Sequence, residues 1–141
     1  MRKYLVTTVL LLACLALIAV PLPVNAQSSE IGLSIGTSSS TVARGSGVAV
    51  FGLVTNNTSS KMRVTVTLSS FSPCGVETSL GGGRLALDPG KSIAISSYYP
   101  IAADACTGMY SVTISADSGK GSNKTSTAAT SPSATAYVEV Q

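Results

Sequence analysis

The sequence predicts an all-β protein, an antiparallel sandwich of seven to eight strands that follows a cleavable signal peptide. Three observations carry this prediction. Apolar and polar residues alternate with a period of two, turn-forming residues separate these runs, and the first 26 residues have the composition of a secretory leader. The chain has 141 residues, enough for a single domain of ordinary size, which we place at residues 27–141.

The leader has the three parts of a secretory signal. Arg2 and Lys3 form a positive start, residues 5–20 form an apolar run, and Ala26 ends a small-residue cleavage motif. The apolar run is shorter than the roughly 20 residues that span a bilayer, which argues against a retained membrane anchor. We therefore expect a signal peptide that is cleaved after Ala26. The product would be extracellular or periplasmic, with no membrane attachment. The alternative is a lipid anchor on Cys14, but the apolar run continues past this cysteine.

Alternation defines the strands of the remaining chain. The clearest runs are Met62–Leu68, Tyr110–Ala116 and Ala136–Val140. Shorter runs with the same pattern are Ile31–Ile35, Leu85–Leu87 and Ile93–Ile95, and Thr41–Ala43 would add an eighth strand. Val48–Val54 is nearly continuous apolar, which predicts a central strand that is either buried on both faces or in the interior of a sheet.

Glycine, proline and asparagine mark the connections between these strands. The predicted reversals are Arg44–Gly47, Asn56–Ser59, Gly81–Gly83 and Asp88–Gly90. Asp88-Pro89-Gly90 is the strongest of them and predicts a tight reversal between two strands. Asp117–Ser133 is a long polar connection with the composition of a flexible linker. A binding loop is the alternative interpretation of that stretch.

The predicted mature domain keeps two cysteines, Cys74 and Cys106. A pair in an exported domain predicts one structural disulfide. The alternative, two free thiols with a redox role, lacks the C-x-x-C spacing and a nearby histidine that would lower a thiol pKa.

Several stretches of the chain resemble bacterial secreted immunoglobulin-like or fibronectin-type III-like modules. They are Val42–Gly45, Val48–Thr58, the turn Leu87–Ser92 and the G-x-Y-x-V motif within Cys106–Thr113. The resemblance covers residues 31–141 and implies an immunoglobulin-like β-sandwich with Tyr110 at a corner. It also makes Met62–Leu68 and Tyr110–Ala116 antiparallel neighbours, so both cysteines would lie at one end of the sandwich. It implies no ligand, because fold does not fix function.

The composition argues against catalysis and against cofactor, metal or nucleic-acid binding. The chain has no histidine, the commonest general base and metal ligand. The six carboxylates form no close pair or calcium-binding run, and they are Glu30, Glu77, Asp88, Asp104, Asp117 and Glu139. Loss of the leader leaves seven basic and six acidic residues, a balance that does not attract nucleic acid. We therefore predict no catalytic, cofactor or metal residues.

Aromatic residues are the remaining candidates for a contact site. Tyr98 and Tyr99 are adjacent, so one of them must face outward if the strand continues, which offers a small surface contact. An edge tyrosine with no binding role is the alternative. Phe51 and Tyr110 are expected in the core, and the pattern leaves Phe71 undecided.

We expect a secreted, non-catalytic module that acts by surface contact with an extracellular protein or polymer. One alternative is a fibre or pilus-like subunit in which residues 27–40 add a strand to a neighbour. Another is a small secreted enzyme with an unrecognised site. Three asparagines begin N-x-[ST] triplets, which matter only in a host that glycosylates exported chains, and they are Asn56, Asn57 and Asn123.

Overall fold

The computed structural model describes residues 30–119 and 131–141, and within these ranges it is built from eight strands and no helix. The strands are β1 (Ile31–Thr37), β2 (Thr41–Val42), β3 (Gly47–Asn56), β4 (Met62–Phe71), β5 (Glu77–Leu87), β6 (Ser92–Pro100), β7 (Gly108–Ser118) and β8 (Ser133–Val140). The all-β prediction is confirmed for this part of the chain. The predicted signal peptide, Cys14, Asn123 and most of the Asp117–Ser133 connection lie outside the described residues.

The strands form two sheets. A three-stranded sheet has the order β1-β3-β6, and a five-stranded sheet has the order β2-β8-β7-β4-β5. Their neighbours run antiparallel, apart from the short parallel pair that places Thr41 of β2 opposite Glu139 of β8. Since β2 pairs separately, the eighth strand that the sequence allowed is present. Strands of both sheets contribute to one buried cluster, so the arrangement is sandwich-like.

Alternation places one side of each strand in the core. The inward side chains of β4 are Met62, Val64, Val66 and Leu68, and those of β7 are Tyr110, Val112, Ile114 and Ala116. Burying a valine or leucine side chain stabilises a fold by about 1.5–3 kcal/mol. The intervening threonines and serines face solvent, which explains how the outer surface of this sheet stays polar with few charges.

Of the two alternatives for Val48–Val54, a position in the interior of a sheet is confirmed, and burial on both faces is wrong. In β3, Val48, Val50 and Val54 are buried, whereas Phe51 is 50% exposed and Leu53 is also exposed. The strand is central within its sheet, but only one face of that sheet packs against the other sheet. Phe51, which is predicted to lie in the core, lies on the outer face of this sheet instead. The prediction fails because an apolar run does not show whether one face or both faces of a strand are covered.

The prediction of a turn at Gly81–Gly83 is also wrong, since these glycines lie inside β5. Gly81 and Gly82 have φ angles of 124° and 158°, and the pairing of β4 with β5 shifts register between Leu68 and Ser69. A side chain on Gly82 would collide with the carbonyl oxygen of Val66. Glycine therefore allows a bulge and a close backbone approach here, where the sequence pattern indicated a chain reversal.

The Asp88–Gly90 turn is present, but it does not join neighbouring strands. It connects β5, at the edge of the five-stranded sheet, to β6, at the edge of the three-stranded sheet. The resemblance to immunoglobulin-like modules instead implies a D–E turn here, which joins two neighbouring strands of one sheet. The difference arises because Leu85–Leu87 is the end of a long strand that pairs with β4.

The segment predicted for strand addition, residues 27–40, contains β1, which is paired within its own chain. β1 lies antiparallel to β3 from Ile31, opposite Asn56, to Thr37, opposite Val50, and Ile31 is buried. Donating this strand to a neighbour would first require the whole ladder to open.

Candidate interaction surfaces

One end of the domain is held by the predicted disulfide, and we call it the disulfide pole. Cys74 lies between β4 and β5, Cys106 lies just before β7, and their Cα atoms are 6.3 Å apart. The bridge fits because β4 and β7 are antiparallel neighbours, with Phe71 at the end of β4 opposite Ser111 near the start of β7.

Two tyrosines pack in the core beside this bridge. Tyr110 is buried, as predicted, and its hydroxyl donates a hydrogen bond of 3.0 Å to the carbonyl of Cys106. Its ring centroid lies 6.3 Å from that of Tyr99, with the rings tilted by 57°. Burial, and secondarily the neighbouring Tyr99, raise the pKa of Tyr110 above its usual value of 10.0. The protonated, hydrogen-bonded form is therefore the one the fold accommodates.

This raised pKa predicts a loss of stability in alkaline solution. The stabilisation is fully present below about pH 10 and declines as the pH rises through the higher pKa of the folded state. A Tyr110→Phe variant should be about 1 kcal/mol less stable at pH 7 because it loses the bond to Cys106. Its melting temperature should fall less steeply above pH 10. If the melting temperatures of the two proteins fell by the same amount between pH 9 and 11, the raised pKa of Tyr110 would be contradicted.

The adjacent tyrosines of β6 point in opposite directions. Tyr98 is 63% exposed on the outer face, and its ring lies over Gly47 of β3 at the place a Cβ atom would take. Tyr99 is only 7% exposed and belongs to the core. Of the two predicted contact residues, Tyr98 is therefore available, whereas Tyr99 is not.

Tyr98 belongs to an apolar outer surface that we call the three-stranded face, made of the outward residues of β1, β3 and β6. Phe51 and Leu53 of β3 are exposed beside it. The other outward positions are small or hydroxyl-bearing and include Gly32, Ser34, Gly36, Ala49, Thr55, Ser92, Ala94 and Ser96. The outward positions of these three strands carry no charged side chain, along about 20 Å of β3.

The outer surface of the other sheet, the five-stranded face, is dominated by hydroxyl groups. Its central outward residues are Thr65, Thr67, Ser69, Ser111, Thr113, Ser115, Ser133 and Thr135. The hydroxyls of Thr113 and Thr135 lie 2.9 Å apart across neighbouring strands. At the disulfide pole this face carries three large exposed side chains, Phe71 (52%), Met109 (56%) and Tyr137 (60%).

The sequence pattern does not decide whether Phe71 is buried or exposed, and it does not mark Tyr137 as a contact residue. Tyr137 alternates with Ala136 and Val138, which places it on the solvent-exposed side of its strand. What the pattern lacked was the pairing of β4 and β8 with β7, which brings the two rings onto one surface.

Acidic side chains and cysteines do not assemble into a metal site among residues 30–119 and 131–141. No group of three or more Cys, Asp or Glu in these ranges could hold a metal ion. Asp88 pairs with Lys61 at 3.2 Å, and both side chains are about two-thirds exposed, so the ion pair contributes little to stability.

An open hollow of about 530 Å³ lies beside Arg63 and Arg84, at the end of the five-stranded face that is far from the disulfide pole. No helix in the described ranges is long and apolar enough to cross a membrane.

The two described N-x-[ST] asparagines have different environments. Asn56 is fully buried, and its amide nitrogen donates to the carbonyls of Ser60, Leu87 and Asp88 at 2.8, 3.1 and 3.2 Å. Its side-chain oxygen accepts bonds from the Thr58 backbone and hydroxyl. Modification of Asn56 would require the domain to open, whereas Asn57 is exposed.

No family model and no curated protein sequence matches this chain. Solved structures are similar in fold alone. A CARDB domain of a Pyrococcus furiosus protein, described in complex with di-metal ions, aligns with a TM-score of 0.60 at 15% identity, over 79% of this chain and 87% of that one. Spo0M, a sporulation control protein of Bacillus subtilis, aligns at 0.57 and 11% identity, over 81% of this chain and 50% of that one.

A family 123 glycoside hydrolase from Clostridium perfringens aligns at a TM-score of 0.56 and 15% identity. The alignment covers 80% of this chain but only 27% of the hydrolase. The chain thus spans one part of that larger protein, and the shared feature is a β-sandwich-type domain.

Proposed function

We propose that this chain is a secreted, non-catalytic immunoglobulin-like module that acts by surface contact with an extracellular protein or polymer. The strand order supports the fold assignment: β1, β3 and β6 correspond to strands A, B and E, and β8, β7, β4 and β5 to G, F, C and C′. The hydrogen bond from Tyr110 to a backbone carbonyl upstream corresponds to the tyrosine corner of such domains. The Cys74–Cys106 disulfide suits an oxidising compartment.

The three-stranded face is the observation that carries the contact function. Monomeric proteins rarely leave contiguous large apolar side chains on a surface without a use for them. Here Phe51, Leu53 and Tyr98 share one sheet surface whose outward positions are uncharged. An uncharged surface with exposed apolar side chains and an exposed tyrosine fits the buried centre of a protein–protein contact.

Site-specific photocrosslinking in the producing cell tests this proposal. Replacing Tyr98 with benzoylphenylalanine keeps an aromatic ring over Gly47 and should give a defined protein adduct of the exported chain. The same probe at Thr67, exposed on the five-stranded face, is the matched control and should give none. Mass spectrometry of the exported protein should show a chain that begins at Gln27.

Equal adducts from both positions would refute the three-stranded face as the contact surface. Retention of the protein in the cytoplasm would refute the proposal that the module is secreted. So would an exported protein that still begins at Met1.

A further inference from the structure

We propose that the disulfide-pole end of the five-stranded face binds an extended, uncharged polysaccharide, with Phe71 and Tyr137 as its two stacking platforms. This site goes beyond the proposed contact through the three-stranded face. Because the two faces are separate, either assignment can fail while the other stands.

The strand register places the two rings in one row across the sheet. Phe71 of β4 is opposite Ser111 of β7, and Ser111 is opposite Tyr137 of β8. Two inter-strand steps separate the backbone positions of Phe71 and Tyr137 by about 10 Å. Ser111 between them is small, so a flat ligand that crosses the strands can contact both rings and the sheet.

This spacing suits a polymer of regularly repeated sugar rings. The C–H face of a pyranose packs against an aromatic ring, and the hydroxyls at its edge need hydrogen-bonding partners. In an extended β-linked chain, successive units alternate in orientation, so every second unit presents the same face. A chain lying across the strands would thus offer equivalent faces to Phe71 and Tyr137.

Hydroxyls and carboxylates surround the two rings. Thr113 and Thr135 lie in the neighbouring row of the face, two residues along their strands from Ser111 and Tyr137. Glu77 is opposite Phe71, and Glu139 is opposite Met109 on the far side of the rings. Carboxylates accept strong hydrogen bonds from sugar hydroxyls. The same two negative charges would repel an acidic polymer, which is why we assign a neutral one.

A protein partner fits this surface less well. The buried centres of protein interfaces are depleted in charged residues such as glutamate, and Glu77 and Glu139 lie beside the two rings. Here, instead, two separated rings lie at the edge of an extensive hydroxyl surface.

Binding to defined polysaccharides tests the site. The mature protein should be depleted from solution by microcrystalline cellulose or chitin, and should bind cellohexaose or chitohexaose in calorimetry. Phe71→Ala and Tyr137→Ala should each weaken binding by about five- to tenfold. The double variant should lose it, while Phe71→Tyr with Tyr137→Phe should largely retain it.

Two controls separate binding from folding and from the other face. Circular dichroism and the melting temperature should be nearly unchanged in each variant, because both side chains are more than half exposed. A Phe51→Ala/Leu53→Ala variant removes two exposed apolar side chains from the three-stranded face and should bind as the wild type does.

Absence of binding to all four neutral probes would overturn the proposal. So would binding that survives in the Phe71→Ala/Tyr137→Ala variant, or a preference for polygalacturonate, an acidic polymer. A protein adduct obtained by photocrosslinking from position 137 and lost in the Phe71→Ala background would assign this face to a protein instead.

Discussion

Replacing Cys74 and Cys106 together by serine is expected to lower the free energy of unfolding by about 3–4 kcal/mol. The bridge closes a loop of 32 residues, and a cross-link of that span removes much of the conformational freedom of the unfolded chain. Domains of this size are stable by only about 5–15 kcal/mol. The melting temperature should accordingly fall by roughly 10–20 °C.

Denaturant unfolding of the oxidised, reduced and Cys74→Ser/Cys106→Ser proteins measures this effect. The reduced wild type and the serine variant should agree, because both lose the same restraint. A mass showing two free thiols in the exported protein, or coincident unfolding curves with and without reductant, would contradict the assignment.

Replacing Asn56 by alanine should cost about 3 kcal/mol, a loss of similar size from a different cause. The Asn56 amide joins the β3–β4 turn to the Asp88–Gly90 turn, where the chain crosses between sheets. Its loss would leave the carbonyl of Leu87 without this donor in a buried position. An unsatisfied buried polar group costs about 1–3 kcal/mol, and an unfilled volume adds to that.

The side chain's role as a donor can be separated from its volume. Asn56→Asp keeps the size but places carboxylate oxygens against three carbonyl oxygens, so it should be at least as destabilising at neutral pH. Ser59→Ala, exposed in the same turn, is the control and should cost well under 1 kcal/mol. Similar losses at the two positions would contradict this account of Asn56.

The strands could be predicted from sequence because inward and outward positions alternate in the residue pattern itself. Met62–Leu68 and Tyr110–Ala116 are found within β4 and β7; β4 continues for three more residues, and β7 is longer by two residues at each end. The cysteine pairing was also predictable, since residues 27–141 contain two cysteines and two cysteines allow one combination.

The errors concern information that periodicity does not contain. Phe51 lies in an apolar run, but the run does not reveal that only one side of its sheet is covered. Gly81–Gly83 have turn chemistry, yet the same freedom of φ serves a bulge inside β5. Phe71 and Tyr137 are distant in sequence and share a row only through the register of three strands.

The disulfide also determines how the domain responds to mechanical load. If the chain is pulled from its two ends, tension passes from Cys74 directly to Cys106, and the intervening residues, which contain β5 and β6, carry no force. The fully stretched oxidised chain is therefore shorter by roughly 100 Å than the reduced one. A tether built from this module would lengthen in two stages, the second opened only by a reductant.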